Sequence, residues 1–406
     1  MSVIVEKPYQ FMPPHRGNGW PNWIQRLRLV DRYLRRKEGI VAYEGRHVDR
    51  LRDSLDQNHG IFLAPNHCRY ADPLVIGWPA RTLGRHVYAM ASWHLFNKSR
   101  FESFAIQKMG GFSLYREGQD RQSLETAIEI LATAERPLIL FPEGTTNRSN
   151  DRLQPLLEGV SFIARTAARR RAKSGQGQVV IHPVGIKYVF VGDIHDWSDR
   201  ALGKLEGRLG WRDSADQPIL QRLEKVIEGL LSLQEIQYLG GVQMGSLRER
   251  RCRLIESFLQ PLETQYGVPA ENIPVSHRVR QLRTQLLPRL LEATDQPTRH
   301  ELRRLLRKVE LAQQLGSYVE DYLQEPPVTD TRVLETIQRI QENFLGKADS
   351  SRPLKVIVEF DEAITVPAEK APRGVPDPIL LTVEQRLKKM LGELQHEARL
   401  FDDPQC

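Results

Sequence analysis

The chain has 406 residues, room for one large or two ordinary domains, and its 40% hydrophobic content supports a packed core and excludes global disorder. A formal charge of +7 points to anionic partners, whether nucleic acid, an acidic membrane surface or phosphorylated substrates, without choosing among them. Cys68, Cys252 and Cys406 lie far apart without metal-ligand spacing, which argues against a disulfide scaffold or a zinc site and fits a reducing compartment.

In chain order, residues 1–20 are rich in Pro and Gly and read as irregular. Residues 1–16 lack the apolar core of a signal peptide, and no apolar run approaches the roughly 20 residues that span a bilayer, so the expectation is a soluble or peripheral protein. Over 21–37, Trp23, Ile24, Leu27, Val30 and Leu34 recur at helical spacing opposite Arg26, Arg28, Arg32, Arg35 and Arg36. This predicts one amphipathic helix, docked on the core or touching a membrane. Between 60 and 190, short apolar runs at 61–64, 87–91, 112–115, 138–141 and 179–185 alternate with helical patterns at 122–135 and 154–171. Such alternation indicates an α/β fold: a mixed central sheet flanked by helices. From 194 to 350 the pattern is helical, with stripes at Leu220, Leu223, Val226, Ile227, Leu230, Leu231 and at Leu302, Leu305, Leu306, Val309, Ala312, Leu315. Strand character returns at 354–360, and a last helix runs over 382–399. The expected division is an N-terminal segment 1–54, an α/β core 55–193, a helical insertion 194–350 and a return to the core at 351–406.

Two motifs follow predicted strands, at the strand ends where open α/β sheets bind substrates. In Asn66-His67-Cys68-Arg69-Tyr70-Ala71-Asp72, a turn that folds back brings Asp72 to one ring nitrogen of His67. The other nitrogen is then a base, able to take a proton from a substrate hydroxyl. In the alternative, Asp72 only caps a helix begun by Pro73, and His67 is an ordinary loop residue. In Phe141-Pro142-Glu143-Gly144-Thr145, the glycine lets backbone amides approach a ligand. Between them, Gly110-Gly111-Phe112-Ser113-Leu114-Tyr115-Arg116 ends on a guanidinium suited to phosphate or to a surface ion pair.

In this order the motifs resemble the glycerolipid acyltransferase family, which includes lysophosphatidate and glycerol-phosphate acyltransferases. Asn66 to Asp72 is similar to its Asn-His-four residues-Asp block, Gly111 to Arg116 to its second block and Phe141 to Thr145 to its Phe-Pro-Glu-Gly-Thr block. Ile181-His182-Pro183-Val184-Gly185-Ile186 is similar to its fourth, apolar-proline block. The resemblance covers about residues 55–190. It implies transfer of a fatty acyl group from a thioester (acyl-CoA or acyl carrier protein) to the hydroxyl of a lysophospholipid or glycerol phosphate. His67 would be the general base and Asp72 its partner. Asn66, Arg116, Glu143, Gly144, Thr145 and Arg148 would bind substrate. No metal or redox cofactor and no nucleic acid is implied; an anionic membrane surface is the expected partner, and the cytoplasmic face of the membrane the expected location. Thr146 stands where the family often has arginine, and Arg148 is the nearby replacement charge. The competing readings are the same fold acting on an amine or non-phosphorylated alcohol, and a non-enzymatic basic anion-binding protein. Four further features have two readings each. Cys68 is a thiol nucleophile or a bystander. The runs 169–173, 248–253 and 299–308 are lipid-contacting or solvated basic faces.

Overall fold

In a computed structural model, residues 5–118, 120–146, 148–211, 214, 216–269, 273–318, 321–369 and 374–402 are described. Eight strands form one mixed sheet: β1 (Ile40–Arg46), β2 (Gly60–Pro65), β3 (Tyr88–Ser92), β4 (Gly111–Leu114), β5 (Leu138–Ile139), β6 (Val179–Phe190), β7 (Leu354–Phe360) and β8 (Ile364–Thr365). Their order is β1-β7-β6-β2-β5-β3-β4, with β8 on β6. From β6 to β4 neighbours are parallel; β7 is antiparallel to β6 and parallel to β1. Every residue of β2 and β6 is buried, as the unbroken apolar runs of central parallel strands require. The expected mixed sheet flanked by helices is present, with 14 α-helices among the described residues. Because β2, β3, β4 and β5 are mutually parallel, their C-terminal ends share one sheet edge. The loops after β2, β4 and β5 carry His67, Arg116 and Glu143.

Two strands escape the sequence pattern. β1 reads Ile-Val-Ala-Tyr-Glu-Gly-Arg, with little apolar alternation, and forms at the sheet edge because β7 supplies its ladder. β8 is only two residues long. The predicted helix 21–37 is two helices, Gly19–Arg26 and Leu29–Lys37, because Arg28 between them adopts a left-handed conformation at φ 51. Of its predicted apolar face, Ile24 and Leu34 are buried, whereas Trp23 is 51% and Leu27 41% exposed.

Between β6 and β7 the described residues form six helices and no strand. Helices Ile194–Arg208 and Asp330–Leu345, with the first half of Ile219–Leu239, share a core with Val184, Ile186, Tyr188 and Val356 of the sheet. Helices Leu247–Tyr266, Val275–Glu292 and Gln296–Gly316 have a core of their own around Leu259, Leu286 and Val309. All six residues of the predicted stripe Leu302 to Leu315 are buried.

Two of the three basic runs each contribute one buried strut, Arg171 and Arg250, while Arg170, Lys173, Arg248, Arg253, Arg304 and Arg307 are exposed. Arg171, 1% exposed, donates to the carbonyls of Asn58, Ala132 and Gly177. Arg250 pairs with Glu235, and Arg299 and Arg303 with Glu6. Among the described residues no helix is long and apolar enough to cross a membrane.

Candidate active site

β2 delivers Asn66 and His67 into a turn that ends at the helix Asp72–Thr82. Asn66 is 1% exposed and its amide is fully used: Nδ2 donates to the Ile186 carbonyl at 3.0 Å, and Oδ1 accepts from the Ile186 N–H at 2.7 Å. This side chain clips the end of β2 to β6 and sets where His67 begins. The helix starts at Asp72 with Ala71 as its cap, so Asp72 does not cap it. At the first helical position its carboxylate points back into the turn. Oδ2 accepts from His67 Nδ1 at 2.8 Å and from the N–H groups of Cys68 and Arg69 at 2.8 and 2.9 Å; Oδ1 accepts from the Tyr188 hydroxyl at 2.7 Å.

These four donors explain how a carboxylate with no exposed surface is tolerated. They also fix the imidazole. A carboxylate only accepts, so Nδ1 carries the proton and Nε2 keeps a lone pair. The ring is stacked on Phe141 with centroids 3.8 Å apart, and 12% of the side chain reaches solvent. A partly open imidazole, oriented from behind by a buried acid, can take a proton at Nε2.

The β5 loop supports the same residue from the other side. Glu143 is 4% exposed; Oε1 accepts from the His67 N–H at 2.5 Å and Oε2 from the Gln154 N–H at 2.8 Å. Burial pushes its carboxyl up to about 8, the two N–H donors pull it back, and the charge of Asp72 adds to the rise. Glu143 therefore holds the His67 backbone. Gly144 has φ +69, its N–H closes the turn onto the Phe141 carbonyl, and a Cβ there would meet Leu157 Cδ1 at 2.4 Å. This glycine is required by the turn itself. Thr145 follows in that turn, half-buried.

Arg116 lies just beyond β4, three strands from β2 and so roughly 14 Å across the sheet. Among the described residues its guanidinium makes no hydrogen bond or ion pair. Tyr70, three residues after His67, sits in the fields of both Arg148 and Arg116. Arg148 is half-buried in a left-handed conformation, and its Nε donates to Glu342 at 2.5 Å. Glu342 belongs to the helix Asp330–Leu345, which also holds residues 150 and 151 of the loop after Glu143 and Arg69 of the turn after β2. Arg332 binds Asp151 at 2.8 Å, Glu335 accepts from the Asn150 N–H at 3.3 Å, and Gln338 accepts from Arg69 at 3.0 Å. Residues 332, 335, 338 and 342 are three or four apart and share one helix face.

Cys68 is buried, and burial followed by the charges of Asp72 and Glu335 pushes its thiol well above the ordinary range. It stays protonated, so the thiol-nucleophile reading fails. Cys406 lies outside the described residues.

Sequence reasoning missed Tyr188, Phe141 as the stacking partner, and the polar face of the helix Asp330–Leu345. Tyr188 left a signal: Val184, Ile186 and Tyr188 alternate on one side of β6, the side that Asn66 binds.

Residues 46–187 match the protein-family model described as Acyltransferase. No curated protein matches the chain. The matched span runs from the end of β1 to most of β6 and contains His67, Asp72, Arg116 and Glu143. Residues 46–187 are thus similar to an acyltransferase domain.

Proposed function

We propose that the enzyme transfers a fatty acyl group from a thioester, on coenzyme A or acyl carrier protein, to the hydroxyl of a lysophospholipid or glycerol phosphate. The observation that carries this reading is the 2.8 Å bond from His67 Nδ1 to a fully buried Asp72, which leaves Nε2 at the sheet edge. Nε2 removes the acceptor hydroxyl proton as the oxygen attacks the thioester carbonyl. The C–S bond then breaks, and the imidazolium returns the proton to the departing thiolate. Asp72 stabilises the imidazolium between these steps. Asn66 and Glu143 place His67, while Arg116 and Arg148 face the acceptor's phosphate.

The exposed surface suits a lipid substrate. Trp20, Trp23, Leu27, Phe101 and Phe104 are all more than a third exposed. Trp20 packs edge-on to Trp23 and Phe104, and the ammonium of Lys108 lies 5.8 Å from the Trp20 ring. Exposed aromatic rings beside Lys108 match the interface of an anionic bilayer.

The test is thiol release by purified protein from palmitoyl-CoA, with and without a panel of lysolipids, glycerol phosphate and polar alcohols. The proposal predicts release that depends on an acceptor hydroxyl and yields an ester. Release indifferent to every acceptor contradicts it.

A further inference from the structure

The turn that carries His67 is tied to the segment between β6 and β7 by one buried side chain. Arg69 stands in the turn between His67 and Asp72 and is 2% exposed. Its backbone N–H donates to Asp72 Oδ2 at 2.9 Å, and its guanidinium lies over the Tyr188 ring, with Cζ 5.2 Å from the ring centre. Tyr188 in turn donates to Asp72 Oδ1 at 2.7 Å. Arg69 therefore reaches the carboxylate twice, through its own backbone and through the phenol.

A buried guanidinium needs hydrogen bonds, and this one has a single partner. Nη2 donates to Gln338 Oε1 at 3.0 Å; among the described residues Nε and Nη1 have none. Gln338 is itself fixed, with no exposed surface and its Nε2 donating to the Asp349 carbonyl at 2.6 Å. Three residues earlier on the same helix face stands Glu335, 1% exposed. Its Oε2 accepts from the Tyr322 hydroxyl and the Asn150 N–H, whereas Oε1 has no partner among the described residues. Burial raises the Glu335 carboxyl, and Arg69 supplies the largest opposing charge. The guanidinium thus has two competing seats: over Tyr188 with Gln338, or forward in an ion pair with Glu335. Gln338 holds it in the first. In the second it leaves the phenol, and the turn whose N–H groups hold Asp72 moves with it.

The geometry points to Arg69 and Gln338 as positioning residues of the His67–Asp72 pair, so that the helical segment between β6 and β7 serves the chemistry without touching substrate. The inference rests on the acyltransferase reading and extends its machinery. Arg69 occupies one of the four unspecified positions between the His and the Asp, and Gln338 lies outside the matched span 46–187.

Gln338→Leu leaves a buried cation without a hydrogen bond, so the single variant loses stability. Arg69→Met/Gln338→Leu removes both partners and keeps an apolar side chain at each position, so it folds with a Tm near that of the wild type. The double variant separates positioning from stability. The pair is read from the low-field proton NMR resonance of His67 Nδ1–H, assigned by its loss in His67→Ala, which needs neither thioester nor acyl transfer. In the folded double variant this resonance shifts or broadens. In steady-state assays kcat for acceptor-dependent thiol release falls about ten- to a hundredfold, while the KM values for palmitoyl-CoA and acceptor stay within about threefold. Arg69→Lys, which keeps a cation and a donor for Gln338, loses less than Arg69→Met. The inference is overturned if no wild-type resonance disappears in His67→Ala, if the folded double variant keeps the wild-type resonance, or if its kcat stays within about threefold of the wild type. A changed resonance beside a wild type that transfers no acyl group supports the positioning role and overturns the acyltransferase reading alone.

Discussion

Replacing Asp72 with Asn isolates the charge of this side chain from its shape. Oδ2 accepts from three donors, and Oδ1 faces the Tyr188 hydroxyl. An asparagine with its oxygen toward the three donors satisfies all of them, and its amide N–H₂ meets the Tyr188 oxygen, which can turn from donor to acceptor. The His67 tautomer and ring position survive, and only the charge is lost. That charge matters when the imidazole becomes cationic. With Nδ1 and Oδ2 2.8 Å apart, the charge centres lie about 4 Å apart, worth about 4 kcal/mol at an effective dielectric constant of about 20. Asp72→Asn should therefore lower kcat about a thousandfold. Asp72 has no exposed surface and touches no substrate, so both KM values should stay within about threefold. The assay is acceptor-dependent thiol release from palmitoyl-CoA, paired with thermal denaturation. Retention of more than about a tenth of kcat in a folded variant would refute the reasoning, because the negative charge would then be idle in the reaction.

Glu143 predicts a pH dependence of stability. Its folded-state carboxyl, raised to about 8, binds a proton more tightly than in the unfolded chain. Its stabilising contribution is therefore full below the ordinary carboxylate range and is lost as pH rises through about 8. Glu143→Gln, with no proton to lose, should show a flatter fall in Tm over that interval; parallel curves for the two proteins would contradict this. Gly144→Ala should destabilise the protein by about 1–3 kcal/mol in denaturant unfolding, from the left-handed backbone and the displaced Leu157. A change under about 0.5 kcal/mol would rule out the strained turn. Trp20→Ala/Trp23→Ala should reduce sedimentation with vesicles containing anionic lipid, and undiminished sedimentation would move the membrane contact elsewhere on the surface.

The parts of the fold legible in the sequence are those where local pattern and tertiary role coincide. The apolar runs at 61–64 and 354–360 became β2 and β7 because each is buried along its length or on one face. The His67–Asp72 contact was readable because the turn between them is local. Partners brought by distant chain were not readable. Arg148 meets Glu342 across 194 residues, and the polar face of the helix Asp330–Leu345 looks solvated in sequence although most of that helix is buried. Arg171 misled for the same reason: in a run of basic residues nothing marks the one whose guanidinium satisfies three backbone carbonyls. β1 needed the β7 edge to exist, and the break at Arg28 has no proline or glycine to announce it.

The central claim is that one nitrogen, Nε2 of His67, deprotonates the acceptor. The direct measurement is ester formation from palmitoyl-CoA and acceptor by His67→Ala, with folding checked by circular dichroism. The account predicts a loss of about 10²–10⁴-fold in kcat with the Tm little changed, since the ring is partly open and its backbone N–H still binds Glu143. A folded His67→Ala enzyme that forms ester within about tenfold of the wild-type rate would contradict it.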